Sequence, residues 1–193
     1  MRSDSDMTTK RQRAPRVESA EVLYAAEGLV TLDADGVAQL KRDAARNPRR
    51  RIRLCAHASL DDRLHEMLIV HERGCYVRPH KHVGKSESFH VIEGEVDVVI
   101  FDDAGGVADV IPMGTYASGR PFFYRLAEPT FHTLLIRSPV LVFHETTNGP
   151  FRREETLFAP WAPDDSQSDD VRRFLSGLND VVASHLRQRG AGA

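Results

Sequence analysis

Only two cysteines occur in the chain, Cys55 and Cys75, and their separation fits neither a zinc knuckle nor a redox pair. Thiol chemistry and a disulfide framework are therefore set aside, and both residues read as small buried hydrophobes. Charge of one sign is lacking too. Twenty-six basic and 28 acidic residues leave a formal charge of −2, so no global field points to nucleic acid or anionic lipid as the main partner. Apolar runs are only a few residues long, far short of the ~20 that a spanning helix requires. The first sixteen residues carry acids and bases and no apolar h-region, which fits neither a secretory signal nor a membrane anchor and leads to an expected cytoplasmic location. No Gly-x-Ser-x-Gly elbow, phosphate-cradling loop or dinucleotide fingerprint is found, which argues against nucleotide-driven catalysis. There is no internal repeat and no low-complexity tract.

At 193 residues the chain suits one domain with a real core. Residues 1–18 are polar and aperiodic and read as a disordered extension. Val37, Leu40, Ala44 and Ala45 recur at helical spacing after Asp33, and Asn47-Pro48 stops the run. Arginines 49, 50, 51 and 53 follow, where bases offset a helix dipole. Residues 64–72, 75–79, 86–92, 95–101, 107–111, 122–126, 131–137 and 140–145 are short runs rich in Val, Ile and Phe, separated by glycine-containing turns. About eight strands with such turns imply a closed antiparallel structure, best matched by a jelly-roll barrel over residues 19–163. Residues 164–193 hold an acidic loop and an amphipathic helix from Ser168, whose stripe of Val171, Phe174, Leu175, Leu178, Val181, Val182 and Leu186 must pack on the barrel or on a second subunit. The paired acids at 61–62, 102–103, 164–165 and 169–170 read as turn residues and caps.

One stretch carries chemistry: Gly74, His80-Lys81-His82, Glu87 and Gly94. Strand side chains alternate, so His80 and His82 project from one face about 7 Å apart, and Val83-Gly84-Lys85 returns Glu87 toward the same place. Two imidazoles and a carboxylate suit a divalent ion such as Zn, Fe, Mn, Ni or Co. A fourth ligand is expected from His132, which shares parity with Leu134 and Ile136. His90 has the opposite parity to Glu87 and reads as structural, whereas His144 is held as a reserve ligand. Extending the parity backwards sets Tyr76 and Arg78 beside the ion. Arg78 then either anchors an anion or pairs with Glu87 or another acid, and Tyr76 either donates a proton or fills the barrel.

The stretch from Gly74 to Gly94 resembles the first motif of the cupin superfamily. With Asn47-Pro48-Arg49-Arg50-Arg51, residues 76–82, Asn148-Gly149-Pro150-Phe151 and residues 158–163, the chain is similar to the WbuC family of cupin-fold metalloproteins. The resemblance implies a double-stranded β-helix with a metal held by His80, His82, Glu87 and His132. The second motif departs from the superfamily pattern: Ala127 and Pro129 replace its proline and glycine, and Ile136 stands where asparagine is common. The resemblance also implies a link to O-antigen and other surface-polysaccharide biosynthesis. The expected activity is isomerisation or epimerisation of a small anionic sugar, the metal acting as Lewis acid. A dioxygenase using Fe or Ni, and a non-enzymatic binding or sensing module, are the rivals. Small jelly rolls often cover their edge strands by pairing, so a homodimer is expected.

Overall fold

A computed structural model describes residues 13–191. Twelve strands and two α-helices follow one another as β1 (Arg16–Val17), β2 (Val22–Tyr24), α1 (Ala34–Arg46), β3 (Arg51–Cys55), β4 (Leu64–Glu72), β5 (His80–His82), β6 (Glu87–Glu93), β7 (Val96–Phe101), β8 (Val107–Met113), β9 (Phe123–Leu126), β10 (Phe131–Ile136), β11 (Val140–Asn148), β12 (Thr156–Phe158) and α2 (Ser168–Ala191). Seven strands form one sheet in the order β1-β2-β3-β4-β11-β6-β9, and five form a second in the order β12-β5-β10-β7-β8. Every pairing is antiparallel except β2 with β3. The two sheets close face to face as a jelly-roll barrel, the architecture expected from regularly spaced short strands.

Alternation decides what fills it. Met67, Ile69, Phe89, Val91, Leu141 and Phe143 of the large sheet meet Val96, Val98, Leu134, Ile136 and Met113 of the small one inside the barrel. The opposite faces of the same strands are also apolar, because each sheet carries a helix. Helix α1 lays Leu40 and Ala44 on Ile52, Leu54, Val70 and Val142. It starts where Asp33 accepts a hydrogen bond from the Gly36 amide at 2.9 Å, and it stops at Asn47 ahead of Pro48. Helix α2 sets Leu178 and Val182 on Val99, Phe101, Val110, Phe131 and Leu135, with Trp161 wedged between. Phe174, Leu175, Leu178, Val182 and Leu186 of its stripe are therefore covered by the barrel of its own chain, while Val181 stays 49% exposed.

Three differences from the sequence reading bear on the site. Residues 75–79 are not a strand, and β5 begins only at His80. One glycine and one proline flank the stretch and break the ladder there: Gly74, just after β4, sits at φ +85°, and Pro79, just before β5, has no amide to contribute. Four short strands, β1, β2, β3 and β12, extend the sheets beyond the eight runs read from sequence. Of the extension expected over residues 1–18, the first twelve lie outside the described residues, and Arg16 and Val17 pair with Tyr24 and Leu23. At Gly94, which turns β6 into β7 with φ +92°, a Cβ would lie 2.3 Å from the Val140 carbonyl oxygen, so no larger residue fits. Among the described residues no helix is long and apolar enough to cross a membrane.

Phe143 is 1% exposed and stacks on Phe89 at 4.3 Å between ring centroids. Phe143→Ala should cost about 3–5 kcal/mol of unfolding free energy, whereas Asp33→Ala, which removes only a helix cap, should cost about 1 kcal/mol. Urea denaturation followed by circular dichroism measures both, and a cost for Phe143→Ala no larger than that for Asp33→Ala would contradict the packing described.

Candidate metal centre

His80, His82, Glu87 and His132 each bring one ligand atom to a common point, all four atoms lying within 4.8 Å of one another. Three strands build this. β5 carries His80 and His82 on one face, β10 sets His132 directly opposite His80, and β6 begins with Glu87 across the barrel. Four such atoms could close on one divalent ion with small side-chain adjustments.

The hydrogen bonds behind the imidazoles orient them. Nδ1 of His80 lies 2.9 Å from the Arg78 carbonyl oxygen, and Nδ1 of His132 lies 3.0 Å from the Thr130 carbonyl oxygen. A carbonyl only accepts, so each Nδ1 carries the proton and each Nε2 presents a lone pair to the centre. His82 Nδ1 is 3.2 Å from the Thr156 hydroxyl, leaving its Nε2 3.3 Å from Glu87. Burial, reinforced by the neighbouring His132, pushes His80 down to about 3, so it is neutral and ready to ligate.

Glu87 is 4% exposed. Burial pushes its pKa upward, but hydrogen bonds with His132, His82 and Tyr124 outweigh that and hold the carboxyl well below its usual range. The Tyr124 hydroxyl donates to Oε1 at 2.6 Å. His132 answers the same pairing: burial lowers it, yet its hydrogen bond to Glu87 and the carboxylate charge raise it overall. The donor set, three imidazole nitrogens and one carboxylate with no thiolate, fits a borderline divalent cation. Cys55 and Cys75 are buried free thiols outside it.

The remaining candidates fall elsewhere. His90 lies on the outer face against Phe122, as parity indicates. His144 is outward as well, 3.9 Å from Glu66, because its neighbours Phe143 and Glu145 point inward, and it is no reserve ligand. The parity that would set Tyr76 and Arg78 beside the ion does not hold, since it needs a strand over residues 75–79. The Tyr76 hydroxyl donates to the Pro163 carbonyl at 2.9 Å and its ring meets Phe174 of α2. Arg78 donates to Asp164 at 2.8 Å and lies 5.0 Å over the Phe158 ring. Both tie the segment before β5 to the loop before α2.

Three residues of the interior escaped the sequence reading. One is Tyr124, which shares the inner face of β9. The second is Glu145, which stands in a transverse row Tyr24, Cys55, Met67, Glu145, Phe89 and Tyr124 of directly paired residues. The third is Arg53, paired with the inward Ile69 and exposed, so it stands on the inner side of β3 where the small sheet does not cover it. No ion pair among the described residues uses Arg53. Pairing β11 with an inward-facing neighbour would have revealed Glu145, but its run of Val140, Leu141, Val142 and Phe143 shows no alternation because α1 buries the outer side too.

Residues 32–113 match a family described as a domain of unknown function, DUF6016. No curated protein matches the chain. Among solved structures, a sugar phosphate isomerase from a cupin superfamily, from Silicibacter pomeroyi, is similar with 20% identity and a TM-score of 0.36, over 46% of this chain and 52% of that one. The chain thus spans about half the length of that protein. KdgF from Halomonas sp. is 15% identical with a TM-score of 0.42, over 54% of this chain and 82% of that one. A variant salicylate 1,2-dioxygenase from Pseudoaminobacter salicylatoxidans, in complex with gentisate, is 10% identical with a TM-score of 0.48, over 62% and 33%.

Elemental analysis of the purified protein should find close to one divalent ion per chain. His82→Ala and Glu87→Gln should each lower that content at least tenfold after dialysis, in line with loss of a direct ligand, while His90→Ala and His144→Ala should leave it unchanged. Retention of the metal by both ligand variants would contradict the site.

Proposed function

We propose that this protein is a divalent-metal-dependent enzyme that isomerises or epimerises a small anionic sugar-type metabolite. The single observation that carries the reading is the convergence of His80, His82, Glu87 and His132 inside the barrel, with Arg53 on the inner side of β3. Three neutral imidazoles and one carboxylate around a doubly charged ion would leave the centre near +1. A carboxylate or phosphate is the ligand such a field selects. Arg78, occupied by Asp164, is replaced in the anchoring role by Arg53.

A bound ion would polarise a carbonyl or hydroxyl of the substrate as a Lewis acid. The protein's own contributions are positional. The Arg78 and Thr130 carbonyls fix two imidazoles in the ligating tautomer, and Tyr124 fixes the Glu87 carboxylate. The motif resemblance extends the proposal to a role of the WbuC kind in surface-polysaccharide biosynthesis, and we carry the cytoplasmic location and the homodimer with it as proposals.

Metal-loaded protein should convert at least one member of a panel of aldose and ketose phosphates, uronates and nucleotide sugars, followed by NMR. Arg53→Ala should raise KM for an anionic substrate at least tenfold with metal content unchanged. Absence of turnover and of ligand-induced thermal stabilisation across the panel would remove the reading, and oxygen uptake by an iron-loaded form would replace it with oxygenase chemistry.

A further inference from the structure

Beyond Glu87, strands β3, β4, β11, β6 and β9 turn just one acidic side chain to the inside of the barrel, and it is Glu145. On β11 it faces Phe89 across the ladder, while Thr147, two residues on, faces Glu87. Glu145 and Glu87 are thus diagonal neighbours on the same face, with about 7–8 Å between their Cα atoms. That gap is one a small hydroxycarbonyl compound spans. Glu145 is half-buried and forms no hydrogen bond or ion pair with any described residue. The ligand side chains, by contrast, each have a hydrogen-bond partner: Glu87 has Tyr124, His80 has the Arg78 carbonyl, His132 the Thr130 carbonyl and His82 the Thr156 hydroxyl. A carboxyl held inside a barrel without a hydrogen bond costs stability unless something else uses it.

We propose that Glu145 is the proton-transfer residue of the site, moving a proton between adjacent carbons of an α-hydroxycarbonyl sugar whose oxygens lie at the metal centre. This rests on the functional reading above and adds to it the group that breaks the carbon–hydrogen bond. The Glu145 carboxylate takes the proton from the carbon bearing the hydroxyl. The electron pair of that bond becomes a carbon–carbon double bond, and the carbonyl π pair moves onto its oxygen. The carboxyl then returns the proton to the former carbonyl carbon while the hydroxyl proton passes to the other oxygen. One carbon is oxidised and its neighbour reduced, so no external oxidant or reductant is needed.

The groups that face Glu145 are Glu87 on β6, His132 on β10, Tyr124 on β9, and Arg53 and Cys55 on β3. Burial, then the Glu87 charge, push the Glu145 carboxyl up to about 8, opposed by Arg53 and His132. In a carboxyl raised this way the folded state keeps a proton that the unfolded chain has already lost. Its contribution to stability is therefore present at low pH and fades as pH rises from the usual carboxylate range toward about 8.

The test compares metal-loaded wild type with Glu145→Gln, an isosteric change, on any substrate of the panel, with proton–deuterium exchange at the substrate carbons in D2O as a second readout. Expected are unchanged metal content, an unchanged ligand-induced thermal shift, and a loss of kcat and of exchange of at least a hundredfold with KM within threefold. Glu145→Asp, which keeps the acid and withdraws it, should recover part of the exchange. A Glu145→Gln protein that exchanges and turns over within threefold of wild type overturns the assignment and leaves the proposed function standing. A wild type that neither exchanges nor converts any panel member overturns both.

Discussion

A carboxylate buried at 4% exposure is the constraint around which this barrel is organised. An ionised acid taken out of water is costly unless hydrogen bonds and opposite charge replace its hydration. Glu87 meets that demand from three directions: Tyr124 on the neighbouring strand of its own sheet, and His82 and His132 from the sheet opposite. The two sheets are therefore held in register by a polar centre as well as by apolar filling. A divalent ion would serve the same need with a stronger charge, which is why the donor set and the buried acid belong to one piece of chemistry.

Apolar area does the rest, and each helix has a share in it. α1 and α2 cover the outer faces of the two sheets, so β10 and the middle of β11 are buried on both sides. The polar side chains of the interior collect at one level of the barrel, in adjacent rows of the large sheet and on β5 and β10 of the small one. The loop from Ala159 to Ser166 binds the outside of the site, because Pro163 and Asp164 hold Tyr76 and Arg78.

Alternation made much of this legible beforehand. His80, His82 and Glu87 are close in the chain, and the parity of His132 with Leu134 and Ile136 correctly turned it inward, as that of His90 turned it out. The helix from Asp33 to Asn47 followed from a cap, a 3.6-residue period and a proline. Errors arose where a run of residues did not keep strand geometry. Extrapolating parity backwards from His80 through Pro79 misplaced Tyr76 and Arg78, since residues 75–79 form no strand. Glu145 was missed for the opposite reason: its strand is regular, but burial on both faces erased the period that would have shown which way it points.

The residue pattern alone determined the short strands, the helix limits and the three ligands within eight residues, because those depend on local backbone period and on turns that only glycine or proline favours. Which groups meet across the barrel was decided by tertiary structure. His132 reaches His80 through a ladder joining strands fifty residues apart, and Arg53 and Glu145 come to the same interior through registers that no local period encodes. Long-range strand pairing fixes those registers by the packing of whole faces, and packing is a property of the assembled sheets and not of any segment.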